Sequence, residues 1–498
     1  MPTLAELRDK WFIDPSATDP TLPPTARHPT STVQPYTDGN LVEFLVDGKD
    51  YMRVWHDSVL DLTNRGGGEI LHSGWRFEGV KTLGESVPAS DALEMLQAAS
   101  LAGVSVYVMM SVHGLGLASA LNDATCLWLV AHDVPHAVMD GRFPPNGSSH
   151  QKVVVFKHPS KSSAVLGSVD ISKSRWDTSA HLKNDSERHW YHGKATHDTG
   201  VRITGPAVAD VEAAFRVRWN DSSRNRVQPE PGPLITSTPV APMSAGTHSV
   251  QLLQTYGRTE LIFGRYSWAA TGEFTYWASW LNAVKTAKDF IYIEDQYFLP
   301  GGTPPFAFSD IDGFARNTEP IYQLGQALKK DNGPNVLVML PSNAEDSVHE
   351  YIKYQRDLGI AYLHECAAGN GRLQVVSLEE GRSPIYVHSK LLLVDDEFMI
   401  VGSGNVGQRS FACDGELSVG VVDSADKLVR QVRTTLWAEH LRMTPAEITD
   451  VDAGLARFRA NQGRVRPYPY ATPSTKGRPT QHDWVIRTTV DPYYGPLR

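Results

Sequence analysis

The sequence predicts an α/β fold in which one unit occurs twice: two pseudo-symmetric α/β/α lobes, each a β-sheet flanked by helices. Three observations carry this. Short β-branched or apolar runs alternate with amphipathic stretches of helical period. The same order of elements recurs on either side of a Pro-rich stretch. The chain of 498 residues, 41% hydrophobic and 21% charged, also exceeds what one core usually fills, about 250 to 300 residues, and is too apolar for a disordered chain.

In chain order, residues 1–40 form an N-terminal extension and 41–225 a first lobe. In that lobe a strand at 69–75 (EILHSGW) precedes a helix at 91–102 and a strand at 104–109 (VSVYVM). Residues 226–250 carry five prolines and little apolar periodicity up to His248, the composition of a connector. The second lobe, 251–445, answers with a strand at 290–297 (FIYIEDQY), a helix at 321–330 and a strand at 335–340. Each lobe then reaches a His, a Lys two residues on, an apolar strand, a Gly-Ser turn, and a helix ending in Trp, at 208–219 and 425–437. From 446 to 498 prolines recur among Tyr and Arg, and the segment reads as a strap over the body.

The net charge of −9 weighs against broad capture of nucleic acid. Three cysteines, Cys126, Cys366 and Cys413, imply neither a disulfide framework nor a CxxC zinc site, and fit reduced thiols in the cytoplasm. The N-terminal residues lack a basic stretch followed by an apolar core, and no run reaches the roughly 20 residues of a spanning helix, so neither a secretory signal nor a membrane span is expected.

A His and a Lys at i and i+2 on a strand share a face, because strand side chains alternate. The imidazole can attack an electrophile or move a proton while the ammonium neutralises phosphate oxygen. Four HxK triplets occur: His150/Lys152, His181/Lys183, His192/Lys194 and His388/Lys390. With 18 histidines about one is expected by chance. The pairs at His181 and His192 lie in a polar stretch with no following apolar strand and read as a solvated loop. The pair at His388 opens HSKLLLVDDEFMIVGSGN, with Asp395 seven residues on and then Gly402-Ser403-Gly404-Asn405. The pair at His150 is followed by VVVF, Lys157, then Gly167-Ser168-Val169-Asp170 and Arg175-Trp176-Asp177.

The pattern HxKxxxxDxxxxxxGSxN closely resembles the signature of the phospholipase D superfamily. The first copy departs from it at Lys157, where the family usually has Asp, and at Asp170 in place of Asn; Asp170 with Arg175-Trp176-Asp177 looks like the eukaryote-like branch. His197-Asp198 ahead of TGPA and Glu416 in DGELSV resemble the family's acidic positions, so the likeness covers most of residues 65–445. It implies a bilobal enzyme with one active site at the lobe interface, where one His forms a phosphohistidine and the other moves the proton. Carried over by position, His150 is the nucleophile oriented by Glu416, with Asp414 as the rival partner. His388 is the general acid and base oriented by Asp198. Lys152 and Lys390 clamp the phosphate, with Ser168, Asp170, Ser403 and Asn405 contacting substrate; Asp170, if ionised, is expected on a Lys or a substrate hydroxyl. Asp395 and Asp177 support structure, and the chemistry requires no cofactor and no metal.

The implied function is phosphodiester hydrolysis, or transfer to an alcohol, on a phospholipid or related diester, with peripheral membrane contact and a monomer both compatible. Rivals are a phosphatidyltransferase of the cardiolipin synthase type, a nuclease, and a catalytically inactive phosphate-binding module. Gly402, Gly404 and Gly407 satisfy GxGxxG, but no βαβ helix follows, which argues against a dinucleotide site. Gly66 to Gly68 read as a turn, and His132 and His136 as part of a loop at the pocket mouth rather than metal ligands. Residues 297–308, rich in aromatics, are expected either at lipid or substrate or packed between the lobes.

Overall fold

The computed structural model describes residues 2–16, 33–112, 119–143, 147–189, 194–222, 233–257, 266–300, 318–342, 349–424 and 427–469. The first half contributes strands β1 (Thr37–Val46), β2 (Glu69–Gly74), β3 (Ser105–Ser111), β4 (His136–Asp140), β5 (Val153–Lys157), β6 (Ser163–Gly167), β7 (Thr196–His197) and β8 (Thr199–Thr204). The second contributes β9 (His248–Tyr256), β10 (Glu273–Phe274), β11 (Phe290–Glu294), β12 (Asn335–Met339), β13 (Leu373–Glu380), β14 (Ser383–Val387), β15 (Leu391–Val394), β16 (Phe398–Gly402) and β17 (Glu416–Val422), and β18 (Val465–Pro467) follows.

Pairing repeats strand for strand. The first half runs β4-β3-β2-β5-β6-β8-β1, the first three parallel and the rest antiparallel. The second runs β13-β12-β11-β15-β16-β17-β9 with the same directions. The two sheets join where β1 meets β9 at Thr37–Val250 and Asn40–His248.

Both faces of each sheet are covered, which is why the central strands read as continuous apolar runs. Alternation nevertheless sorts them. Val153 and Val155 of β5 face the layer between the halves and Val154 and Phe156 the outer helices. Leu391 and Leu393 of β15 likewise face inward, Leu392 and Val394 outward. The inner layer also takes the helices Ala207–Ser222 and Leu428–Leu441, whose Trp219 and Trp437 are fully buried. No described helix is long and apolar enough to cross a membrane.

Three boundaries differ from the sequence expectation. β1 begins inside the expected extension, and the helix Leu4–Trp11 packs on the second half, Trp11 stacking on Phe398 at 5.5 Å. The described part of the connector lies back on the first half: Trp219 donates to Pro233 O at 3.0 Å and Ile235 is buried. Carbonyl acceptors and an apolar residue every few positions fix such a segment without periodicity. β18 adds to β13, and beyond residue 469 the expected strap lies outside the described residues.

Candidate active site

β5 and β15 enter their ladders at Val153 and Leu391, so each HxK occupies the extended segment immediately before the strand rather than the strand itself. That segment is held by the opposite half. His150 N donates to Gly415 O at 2.9 Å, beside a parallel bridge between Ser149 and Gly415. His388 N donates to His197 O at 2.8 Å, where β14 meets β7. Each histidine backbone is therefore tied to the residue preceding the other half's carboxylate.

The rings pair across the same seam. His150 Nδ1 lies 2.9 and 3.1 Å from the two carboxylate oxygens of Glu416. His388 Nδ1 lies 2.7 Å from Asp198 Oδ1. An ionised carboxylate only accepts, so Nδ1 carries the hydrogen and Nε2 keeps its lone pair. Asp414, the rival partner for His150, is instead engaged by Arg409 at 2.8 Å and by Ser148 N at 2.8 Å.

Ser168 and Ser403, expected to contact substrate, place their hydroxyls on the carboxylates of these pairs. Ser168 Oγ donates to Asp198 at 2.6 Å while accepting from Thr199 N at 3.0 Å. Ser403 Oγ donates to Glu416 at 2.5 Å while accepting from Leu417 N at 3.0 Å. The preceding glycines allow that approach: a Cβ on Gly167 would meet Gly200 Cα at 2.5 Å, and one on Gly402 would meet Ser418 Cα at 2.4 Å. Ser410, which the sequence reading missed, adds a second hydroxyl on Glu416 at 2.5 Å from the π-helical turn Arg409–Cys413. Five residues after Asp170, as Ser410 is five after Asn405, stands Arg175.

Lys152 Nζ reaches His150 O at 3.0 Å and lies 3.4 Å from Asp170, which also accepts from Arg76 N at 3.1 Å. The Asp170 carboxylate thus finds the lysine the sequence reading gave it as one option. Lys390 Nζ donates to His388 O and to Gln296 Oε1 at 2.9 Å, and Gln296 in turn donates to Tyr386 OH at 2.8 Å. Asn405 is buried with no hydrogen-bond partner for Oδ1 among the described residues.

Burial dominates the electrostatics. It lowers His150 well below its ordinary range, with Lys152 adding to the effect. It does the same to His388, helped by Arg175, Lys390, Lys152 and His150 itself. Burial pushes Asp198 up to about 6 and Glu416 up to about 7, and pushes Lys390 down to about 7. Burial thus works against the charged forms of both imidazoles, both carboxylates and Lys390.

Asp395 accepts from Lys288, Asp289 and Phe290 N at 2.9, 2.9 and 3.0 Å, anchoring the start of β11. Lys157, at the same place in the first half, pairs with Glu212 at 2.6 Å and Glu69 at 3.4 Å, so the departure there is matched by acidic neighbours. Asp177 accepts from Thr196 N at 2.7 Å and Thr178 N at 2.8 Å.

His181 overturns its reading as a solvated loop residue. It is fully buried between Asp177 at 3.0 Å and Glu439 at 2.9 Å; a polar stretch can be interior when ionic partners from elsewhere satisfy it, and periodicity detects only apolar faces. His192 lies outside the described residues, as do positions 301–308 of the aromatic segment; Phe298 and Leu299 are buried. His132 and His136 are not at a pocket mouth: His132 bonds Trp128 O at 2.7 Å at the end of its helix, and His136 opens β4 stacked on Tyr107 at 4.9 Å.

The family model described as Phospholipase D matches residues 362–457, which contain His388, Lys390, Asp395, Asn405 and Glu416. "Phospholipase D alpha 1" of Zea mays is 25% identical over 80% of this chain and 65% of its own length. "Phospholipase D A" of Dictyostelium discoideum is 24% identical over 60% of this chain and 27% of its own. The chain thus spans less than two thirds of these relatives. In fold, the crystal structure of phosphatidylserine synthase from Haemophilus influenzae Rd KW20 superposes with a TM-score of 0.55 at 14% identity, covering 84% of this chain and 93% of that one.

Proposed function

Taking the chain as related to the phospholipase D superfamily in both sequence and fold, we propose that it is a phosphodiesterase acting on a phospholipid or related diester through a phosphohistidine. The observation that carries the reading is the pair of crossed His-carboxylate contacts, each beside a buried lysine. His150 Nε2 attacks phosphorus, its ring becoming cationic against Glu416, while the bond to the leaving alcohol breaks. His388 gives that alcohol its proton and then takes one from the water, or acceptor alcohol, that cleaves the P–N bond. Lys152, Lys390 and Arg175 face the phosphate charge. Because those cations depress His388, its protonation follows substrate binding, when the anion offsets them.

Both histidines and both lysines are present with their carboxylate partners, which favours an active enzyme over an inert binding module. Cys126, Cys366 and Cys413 are buried free thiols, in keeping with the proposed cytoplasmic setting. The test is to incubate the protein with phosphatidylcholine vesicles, with bis(p-nitrophenyl) phosphate and with single-stranded DNA, with and without ethanol, and to trap acid-labile phosphoprotein. Hydrolysis of lipid, ethanol-dependent phosphatidylethanol, and loss of both in His150→Asn and His388→Asn are expected. Cleavage of DNA alone supports a nuclease, and full activity in either variant refutes the mechanism.

A further inference from the structure

Behind the His388–Asp198 pair, the buried Asp47, His181 and His197 and the half-buried Glu439 close a ring across the seam between the halves. Asp47 Oδ1 lies 2.9 Å from His197 Nδ1, which lies 3.7 Å from Glu439 Oε1. Glu439 Oε1 lies 2.9 Å from His181 Nε2, which lies 3.7 Å from Asp47 Oδ2. Asp47, His181 and His197 are at most 1% exposed and the Glu439 side chain 9%. Asp47 enters this ring through both of its oxygens, and the edges run 2.9, 3.7, 2.9 and 3.7 Å, on either side of the about 3.3 to 3.4 Å that separates ligand atoms about 2.0 to 2.1 Å from a tetrahedral zinc ion.

Two independent features point the same way. Asp47 Oδ2 is buried without a hydrogen-bond partner, although it faces the ring. The outward nitrogens are each held by a braced carboxylate. His181 Nδ1 meets Asp177 at 3.0 Å, itself bound by Arg188 and two backbone amides. His197 Nε2 meets Glu294 at 3.1 Å, itself bound by Tyr292 OH at 2.5 Å and His440 at 3.1 Å. Imidazoles that ligate a metal characteristically donate their other N–H to a carboxylate in this way.

We propose that Asp47, His181, His197 and Glu439 bind one divalent cation of the zinc type. Two imidazoles and two carboxylates around one closed ring suit that ion better than magnesium or calcium, which prefer more oxygen ligands. With the ion in place both rings are neutral, their lone pairs turned inward and their N–H groups outward. Without it each ring faces carboxylates at both nitrogens and must carry two protons. Three ligands come from the first half and Glu439 from the helix Leu428–Leu441 of the second, so the ion is structural and fastens the halves beside the catalytic seam.

The test uses the full chain, produced with zinc in the medium and dialysed against metal-free buffer, with metal measured by mass spectrometry. About one zinc per chain is expected, falling to about a tenth or less in His181→Asn and Glu439→Gln but unchanged in His150→Asn and His388→Asn. Where the first two variants do not fold, the wild-type protein decides: chelation should lower its melting temperature and zinc restore it. Zinc below about a tenth per chain in folded wild-type protein, or nitrogen-15 spectra showing both rings doubly protonated after zinc exposure, overturns the proposal.

Discussion

Replacing Glu416 by Gln keeps the shape of the side chain and removes the charge that faces His150 when its ring becomes cationic. The carboxylate accepts from His150 Nδ1, Ser403 Oγ and Ser410 Oγ. A hydrogen bond to a charged group contributes about 1.5 to 3 kcal/mol. Losing that share only in the transition state slows kcat about 10- to 150-fold. If the amide nitrogen turns toward Nδ1, the ring proton moves to Nε2 and blocks attack, and the loss approaches the roughly ten-thousand-fold that a wrong tautomer costs a catalytic triad. Both serine hydroxyls can reverse their donor role, so the packing survives either orientation. Stability should not fall. The folded-state value of Glu416, about 7, lies above its ordinary 4.5, so the folded protein binds more protons between those values and its stability drops as pH rises through that window. Glutamine removes the drop, leaving the variant at least as stable at pH 8. Rapid-quench measurement of phosphoprotein formation from labelled lipid, with melting curves at pH 5 and 8, decides the matter. Formation within about twofold of wild type in the folded variant would refute the role of Glu416.

Other changes separate chemistry from support. Burial and the neighbouring Lys152 hold Lys390 at about 7, so kcat/KM should fall above that pH and Lys390→Arg should remove this alkaline limb; an unchanged limb assigns it elsewhere. The unfolded chain binds more protons than the folded one from about 7 to 10.5 at this lysine, so its contribution to stability rises with pH across that span, which melting curves of Lys390→Met against wild type report. Asp395→Ala strands three backbone amides and should destabilise by about 1 to 3 kcal/mol in urea unfolding, with kcat unchanged. Lys157→Asp introduces the residue usual at this place in the phospholipase D signature but sets it against Glu212 and Glu69, so a loss of about 1 kcal/mol or more is expected; a gain in stability would contradict the pairing described.

The repeat was legible because its carriers are local: VVVF and LLLV mark paired strands, and HxK with GS at fixed offsets marks the turns between them. His150, Lys152, His388, Lys390, Asp198 and Glu416 do converge, but spacing along the chain said nothing of why. The reason is the two parallel bridges that seat each histidine against the other half, and these join residues 266 and 190 positions apart in the hydrogen bonds they set up. The carboxylate contacts of Ser168 and Ser403 were not legible, because a hydroxyl next to a glycine turn can face substrate or a carboxylate equally well; the close approach of the glycine to the next strand sets them. His181 and Glu439 gave no signal, since their partners come from distant segments and no apolar period marks them.

The helix Leu4–Trp11 has a consequence for how the chain is made. Its partners Phe398 and Glu397 leave the ribosome last but for about a fifth of the chain: Lys10 meets Glu397 across 387 residues at 2.5 Å. At synthesis rates of about 5 to 20 residues per second, that separation is about 20 to 80 seconds. For that time Trp11 lacks the ring it stacks on and Lys10 its carboxylate, while the helix Thr275–Thr286, whose Asn282 donates to Trp11 O at 3.0 Å, has already been made.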